Sequence, residues 1–353
     1  MPDLVFAYPG DLNTPTGGYG YDRQILAGLR SLGWQVTLLP LGDGFPFPSQ
    51  AMINHASDKL AALPDGTLVV ADGLAFGALG EVAARIADHL TLVALVHHPL
   101  CQENGLDTAQ KHALLEGERE ALQHARHVIV TSPATSVQVQ ELFGIEGSRV
   151  TTVLPGTEKP LPYPRPQGDV VKLLSVGTVV PRKGYDLLFS ALAGLKGHED
   201  AKWHLDIVGG LTSDPACYAA LKRQATDLGL ADRIIFHGAV PGDDLEAFYR
   251  AANVFVLASR YEGYGMAYTE ALAHGLPVIG SGGGAVRDTL PDGASIYCGT
   301  EDVAALGEAL ERLIFDASER GRLEQAARIA ARDLPDWSDM AGLFARTLSE
   351  IGS

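Results

Sequence analysis

Two glutamates, Glu262 and Glu270, stand eight residues apart across a glycine-rich segment. Residues 270–274 are good helix formers followed by glycine and then proline, which predicts a helix that begins directly after the glycines. A helix N-terminus offers free backbone N–H groups and the positive end of the helix dipole, and both favour phosphate. A carboxylate one or two turns away suits sugar or ribose hydroxyls. The segment therefore carries groups for both kinds of ligand.

A second group of candidate residues is the adjacent pair Arg182 and Lys183. A predicted strand ends at Gly177 and a predicted helix begins near Tyr185, which places the two cations on a strand-to-helix loop. In α/β proteins such loops lie at the carboxyl end of the sheet, where ligands bind. Two cations there are placed to hold a diphosphate and to neutralise its charge as it leaves.

Further candidates lie in the first half of the chain. The pair Gly17-Gly18 opens a predicted helix directly after the loop of the first strand, and His97 and His98 follow a strand predicted at 92–96. Because the carboxyl ends of parallel strands face the ligand-binding edge, we expect at least one histidine to line a site there. The alternatives are a buried structural histidine and a plain tight turn.

The segments that carry these residues alternate between short apolar strands and helix-period stretches. Strands are predicted at 4–7, 34–39, 68–71, 92–96, 128–131, 150–154, 171–176, 205–208, 234–236, 254–257 and 277–280. The stretch 155–168 holds five prolines and is the clearest linker. We therefore predict an α/β protein of two doubly wound, Rossmann-like domains, with a helix at 337–351 after the second.

The composition limits the partners and the compartment. A length of 353 residues favours two domains. A formal charge of −16 argues against nucleic acid as a partner, since Lys and Arg supply most of that affinity. No apolar run reaches the length of about 20 residues that a membrane-spanning helix needs. The start of the chain shows no secretory signal, so we expect a cytoplasmic location and three reduced cysteines.

The segment from Glu262 to Glu270, with its glycines and the following Ala-Leu-Ala-His-Gly-Leu-Pro-Val, resembles the E-x7-E signature of retaining GT-B glycosyltransferases similar to glycosyltransferase family 4. The resemblance implies that Glu270 binds the donor ribose and that Glu262 lies near the transferred sugar. Val240 lies where relatives place the loop for the nucleobase. Backbone contacts to sugar hydroxyls and phosphate are implied for Gly263, Tyr264, Gly265, Met266 and Ala267.

The cationic loop resembles the Gly-Arg-…-Lys-Gly loop of the same family. Lys183 matches its lysine and Gly177 its glycine. Thr178 departs from the pattern, since many relatives have a phosphate-binding arginine there. Either Arg182 binds the phosphate in place of that arginine, or phosphate binding is weaker.

The glycine pair and the histidines resemble family features as well. Relatives bring a glycine pair, here Gly17 and Gly18, against the donor phosphate or the acceptor. They also carry a histidine at this strand end, which lines the acceptor and the reacting sugar. The choice between His97 and His98 stays open.

The resemblance implies a retaining hexosyltransferase that moves a sugar from a UDP- or GDP-sugar to an acceptor hydroxyl. The nucleotide-sugar is a substrate, and no cofactor is expected. Residues 1–157, joined by the C-terminal helix at about 337–353, are expected to form the acceptor-side domain, and 158–336 the nucleotide-sugar domain, facing a cleft. No metal site is predicted, because Asp72, Asp206 and Asp288 form no obvious set and relatives generally work without a metal ion.

Several properties stay open. The acceptor is a glycan, a small molecule or a lipid such as diacylglycerol, and a lipid would bring peripheral association with the inner face of the membrane. The acidic balance lowers that expectation. The oligomeric state is not readable from the sequence. A sugar-nucleotide epimerase of the same fold and a non-catalytic, nucleotide-binding GT-B subunit are the alternatives, and the intact Glu262, Glu270 and Lys183 favour an active enzyme.

Overall fold

The computed structural model describes residues 2–103, 105–161, 163–165, 168–195 and 202–352. The chain separates into two compact units, unit 1 (1–156 with 335–353) and unit 2 (157–334). Of the predicted linker, positions 162, 166 and 167 lie outside the described residues, as does position 353 of the predicted C-terminal helix.

Unit 1 is built on one parallel sheet with helices between its strands. In chain order its elements are β1 (Asp3–Pro9), α1 (Gly17–Ser31), β2 (Gln35–Gly42), α2 (Gln50–Ala61), β3 (Leu68–Asp72), α3 (Gly73–Phe76), α4 (Gly80–Ile86), β4 (Thr91–Val96), α5 (Thr108–His124), β5 (His127–Val130), α6 (Pro133–Phe143) and β6 (Val150–Thr152). The six strands lie in the order β2-β1-β3-β4-β5-β6.

Unit 2 repeats this architecture. Its elements are β7 (Val171–Val176), α7 (Tyr185–Ala193), β8 (Trp203–Val208), α8 (Pro215–Asp227), β9 (Ile234–Gly238), α9 (Gly242–Ala251), β10 (Val254–Leu257), β11 (Tyr261–Glu262), α10 (Met266–Ala273), β12 (Val278–Gly280), β13 (Gly283–Gly284), α11 (Val286–Thr289), β14 (Ser295–Tyr297), α12 (Val303–Phe315) and α13 (Ala317–Ala330). The main sheet has the order β14-β12-β10-β7-β8-β9, and β11 pairs with β13.

The central strands are largely apolar because helices cover both faces of each sheet. Val69, Ala94 and Val128 are fully buried in unit 1, as are Leu173 and Phe255 in unit 2. In unit 2 the two faces carry separate apolar clusters. The predicted α/β fold with two doubly wound halves is confirmed, and the strand bounds differ from the predicted ones by a few residues.

The last helix, α14 (Trp337–Ile351), belongs to unit 1 and packs on α1. Gly28 allows a close approach there, since a Cβ at that position would lie 2.3 Å from the Cβ of Ala341. The Tyr21 and Trp337 rings meet edge to face with centroids 5.8 Å apart. Unit 1 is therefore assembled from two separate stretches of the chain.

Two findings bear on the sequence expectations about membranes and cysteines. Within the described ranges, no helix has both the length and the apolar character that crossing a membrane requires. Cys101, Cys217 and Cys298 are free thiols.

Candidate functional site

In unit 2 the loop between β7 and α7 brings Arg182 and Lys183 to the carboxyl end of the sheet. Residues Pro181–Lys183 form one turn of 3-10 helix, and Gly184 follows with a φ of 62°. A side chain at Gly184 would place Cβ 1.9 Å from the Ala258 carbonyl oxygen. At Gly177, a Cβ would lie 3.0 Å from Cε of Lys183. Glycine at these two positions therefore lets the loop lie close to β10 and lets the lysine side chain pass.

Glu262 is the residue that the two cations contact. Its Oε1 accepts hydrogen bonds from Lys183 Nζ and Ser259 Oγ, both at 2.5 Å, and its Oε2 lies 3.2 Å from Arg182 Nη1. The residue is only 5% exposed. Burial raises the pKa of Glu262, but Lys183 and Arg182 outweigh it and lower the pKa to about 2. The carboxylate is thus charged and holds both cations in place.

Arg260 fixes the same loop from the far side. Its backbone N–H donates to the Arg182 carbonyl at 2.7 Å, and its Nη1 donates to the Pro181 carbonyl at 2.6 Å. Its guanidinium also forms a two-pronged pair with the Asp186 carboxylate, at 2.9 and 2.7 Å, and Nε donates to Glu301 at 2.6 Å. Bidentate pairs of this kind set geometry as well as charge. The cations are therefore held on a preorganised loop.

The glycine-rich segment leads into α10, which begins at Met266 after Gly265. The helix thus begins one turn earlier than predicted, and Glu270 lies in its second turn rather than at its start. Gly265 has a φ of 95°, which favours glycine, and no side chain of the described residues caps this helix. The first backbone N–H groups of α10 lie at the positive end of the helix dipole.

Glu270 contacts a different partner from Glu262. The Tyr249 hydroxyl donates to its Oε2 at 2.7 Å. Burial raises the pKa of Glu270, while the bond from Tyr249 lowers it, and the net shift is upward. The structure thus brings together Gly177, Arg182, Lys183 and Glu262, whereas Glu270 is positioned by α9.

The other predicted donor residues flank these groups. Val240 lies on the loop between β9 and α9, half-buried against an apolar cluster. Thr178 follows Gly177 and stays partly accessible, as do Gly263, Tyr264, Met266 and Ala267. The Tyr264 carbonyl accepts from Thr289 Oγ1 at 2.6 Å, which fixes the backbone between the two glutamates.

In unit 1 the glycine pair and one histidine lie against each other. Gly17 and Gly18 are the first residues of α1, whose N-cap Thr16 accepts from the Tyr19 N–H. A Cβ at Gly18 would lie 3.4 Å from Cδ2 of His97. The His97 ring also meets Tyr21 edge to face, at 5.4 Å between centroids. This packing holds the imidazole in one orientation at the carboxyl end of β4.

Two buried aspartates complete the surroundings of His97. Asp22 of α1 is 0% exposed and its Oδ1 lies 3.2 Å from His97 Nε2. Asp72, at the end of β3, is 2% exposed and accepts from the Leu74 N–H at 2.7 Å. Burial and the Asp22 charge raise the pKa of Asp72 to about 7. Burial lowers the pKa of His97, but Asp22 and Asp72 raise it above its ordinary value overall.

His98 has other neighbours than His97. Its Nε2 lies 3.3 Å from Glu103 Oε2. Nearby, the buried Glu118 of α5 accepts from the Leu100 N–H at 2.9 Å, and burial raises the pKa of Glu118 to about 8. The two adjacent histidines therefore lie in distinct environments, one among aspartates and one at the loop after β4.

Sequence reasoning missed Asp22 and the contacts of Arg260 with the cationic loop. It considered Asp72 only together with Asp206 and Asp288. The signals were present for the aspartates. Asp72 ends a strand, as His97 follows one, and Asp22 lies four residues after Gly18 on the same helix face. Asp206, which the sequence analysis had considered with Asp72, lies in unit 2 between His204 and His237.

Comparison with known proteins gives a consistent result. Residues 164–330 match the sequence model of the family Glycosyl transferases group 1. Mannosylfructose-phosphate synthase of Agrobacterium fabrum is 32% identical over 232 residues, which are 61% of this chain and 50% of that protein. The matched residues span from 48% to 74% of the length of such relatives.

Two solved structures share the fold. Sucrose-phosphate synthase from Thermosynechococcus elongatus superposes with a TM-score of 0.83 at 21% identity, covering 99% of both chains. HepE of Anabaena, in complex with UDP and glucose, gives 0.77 at 17% identity over 99% of this chain and 100% of that one. Such neighbours are GT-B glycosyltransferases, and the predicted GT-B fold is confirmed.

Proposed function

We propose that this chain, which carries a group 1 glycosyltransferase domain at residues 164–330, is a retaining hexosyltransferase that moves a sugar from a UDP- or GDP-sugar to an acceptor hydroxyl. The observation that supports this most is the arrangement of Lys183 and Arg182, 2.5 and 3.2 Å from the buried Glu262. Two cations on a rigid loop, together with the N-terminus of α10, which no side chain of the described residues caps, suit a nucleoside diphosphate.

In the proposed reaction the bond from the anomeric carbon to the diphosphate oxygen breaks while the acceptor oxygen bonds to the same face of the sugar. The acceptor proton passes to the departing diphosphate, so charges and atoms balance. Lys183 and Arg182 offset the charge that grows on the diphosphate. The protein otherwise orients the two substrates.

The two glutamates have different proposed tasks. Glu270, held by the Tyr249 hydroxyl, binds the donor ribose. Glu262 lies near the transferred sugar and, because its oxygens contact Lys183 and Arg182, it also keeps the cations at the diphosphate position. With this counter-charge supplied by side chains, departure of the diphosphate needs no metal ion.

Names of similar proteins guide the choice of substrates. HepE was solved with UDP and glucose, the relative from A. fabrum is a mannosylfructose-phosphate synthase, and a relative from Mycolicibacterium smegmatis is a GDP-mannose-dependent mannosyltransferase. We therefore propose UDP-glucose and GDP-mannose as first donors. Sugars, sugar phosphates and diacylglycerol in vesicles form the acceptor panel.

The test begins with thermal unfolding in the presence of UDP, GDP and ADP, since a specific ligand raises apparent stability by mass action. We expect one of these nucleotides to raise Tm, and the nucleotide-sugar with the same base to be hydrolysed slowly without acceptor. NMR of the transfer product reads the anomeric configuration. Absence of any nucleotide effect on Tm would overturn the proposal. Binding without hydrolysis or transfer would point to a non-catalytic subunit, and an epimerised nucleotide-sugar to an epimerase.

A further inference from the structure

Asp22, Asp72 and His97 form a compact cluster inside unit 1. They come from α1, the end of β3 and the position after β4. One side-chain ligand atom from each lies within 4.8 Å of the other two, and His97 Nε2 is 3.2 Å from Asp22 Oδ1. Ligands bound at roughly 2.1 Å to one ion lie about 3 to 4 Å apart. The three atoms are thus near the spacing that one metal ion requires.

The cluster concentrates negative charge away from water. Asp22 and Asp72 are both almost fully buried, and Asp22 Oδ2 has no hydrogen-bond partner among the described residues. A buried carboxylate normally has a cation, a hydrogen-bond donor or a metal ion as partner. This oxygen of Asp22 points to a missing cation or proton donor, and it does so independently of the spacing of the three residues.

The residues around the cluster add to the same charge. Beyond the effect of burial, the carboxylates of Asp72, Asp22, Asp43 and Asp11 each raise the pKa of Tyr19. Arg23, one residue after Asp22, is a nearby cation, but the hydrogen bonds of its guanidinium go to the backbone carbonyls of Leu12 and Thr14. The environment of the cluster thus favours a bound cation.

We propose that Asp22, Asp72 and His97 bind one divalent transition-metal ion. An imidazole with two carboxylates suits Mn²⁺, Fe²⁺ or Zn²⁺ better than Mg²⁺ or Ca²⁺, which prefer oxygen ligands alone. Three protein ligands leave positions for water or for a substrate hydroxyl. This site belongs to unit 1 and does not depend on the function proposed for unit 2.

The surroundings give the proposed ligands the support that metal sites use. The Leu74 N–H holds one oxygen of Asp72, and the Thr131 hydroxyl donates to the His97 carbonyl at 3.1 Å. Gly18 and Tyr21 pack on the imidazole from two sides. The His97 side chain is 21% exposed, which gives an ion a route from solvent.

The experiment uses the full-length chain after treatment with a chelator and desalting. Mn²⁺ and Zn²⁺ are titrated separately, with bound Mn²⁺ read by EPR and Zn²⁺ by calorimetry and elemental analysis. We expect about one ion per chain, and each of Asp22→Asn, Asp72→Asn and His97→Gln to weaken binding roughly a hundredfold or more. The matched control is Asp206→Asn, which removes a carboxylate placed between His204 and His237 in unit 2 and should leave the titration unchanged.

A second measurement keeps the test valid if a variant folds poorly. Tm is measured with and without the metal ion, and only the wild type and Asp206→Asn should gain stability from it. The competing explanation is a proton shared by the two carboxylates. In that case neither ion binds stoichiometrically, and Asp22→Asn unfolds at the same or a higher temperature than the wild type. That result, or equal ion binding by wild type and Asp22→Asn, overturns the proposal.

Discussion

Both units place buried carboxylates at the carboxyl edge of a parallel sheet, but the charges around them are opposite. In unit 2, Lys183 and Arg182 lower the pKa of Glu262 to about 2 despite its burial. In unit 1, burial together with Asp22 raises the pKa of Asp72 to about 7. The carboxyl edge of the sheet thus carries an excess of cations in one unit and an excess of carboxylates in the other. Function follows from the side chains placed on this frame.

The largest effect is expected from Lys183→Ala. It removes a counter-charge for the leaving diphosphate, worth roughly 3 kcal/mol, so turnover should fall about a hundredfold or more. Steady-state assays and circular dichroism measure activity and folding. Lys202→Ala, which removes an exposed lysine that pairs with Asp169, is the control. Turnover within about threefold of wild type would refute the role.

A variant with both Lys183→Ala and Glu262→Gln sharpens this result. Loss of one partner of a buried ion pair destabilises a protein more than loss of both. We expect the double variant to unfold at a higher temperature than Lys183→Ala alone, while turnover stays low. Recovered turnover in the double variant would mean that the single variant failed by unfolding.

Substitution of the two glutamates should change different kinetic constants. Glu262→Gln should lower kcat about tenfold or more with a smaller change in donor KM, because it disturbs groups that act on developing charge. Glu270→Gln should act chiefly by raising donor KM several-fold, since ribose binding is similar in the ground and transition states. Initial rates over a range of donor concentrations separate these outcomes. A pure KM effect for Glu262→Gln contradicts the assignment.

A smaller effect concerns stability in unit 1. Burial raises the pKa of Glu118 from 4.5 to about 8, so the folded state favours the protonated form. Its stabilising contribution is complete below about pH 4.5 and is lost as the pH rises towards 8. Glu118→Gln should therefore increase the free energy of unfolding at pH 8 by roughly a few kcal/mol, and raise Tm with it, while both change little at pH 4.5. Glu120→Gln, an exposed neighbour on α5, is the matched control.

The smallest effect on activity is expected when a chelator is added to an assay of nucleotide-sugar hydrolysis, which reports on the donor site in unit 2. Because Lys183 and Arg182 supply the counter-charge, hydrolysis of the nucleotide-sugar without acceptor should change less than about twofold in EDTA. Complete loss that Mn²⁺ restores would show that the donor site in unit 2 also needs a metal ion.

The sequence predicted the architecture well because buried parallel strands are continuous apolar runs. It also identified Lys183 and Glu262, but not their contact, since 79 positions separate them along the chain. The start of α10 was placed too late because Met266, Ala267 and Tyr268 follow glycines that the pattern assigned to a turn. Asp22 was missed because its partners Asp72 and His97 lie on two later strand ends, which only the order β1-β3-β4 brings beside α1.

The return of α14 to unit 1 has a consequence for synthesis on the ribosome. Unit 2 is one continuous stretch, 157–334, and can complete its core as soon as it has emerged. Unit 1 starts first but finishes last, because Tyr21 and Gly28 of α1 are covered only when Trp337 and Ala341 arrive. Throughout translation of unit 2, the nascent first unit therefore exposes an apolar helix face, and surfaces of this kind favour non-native association during that interval.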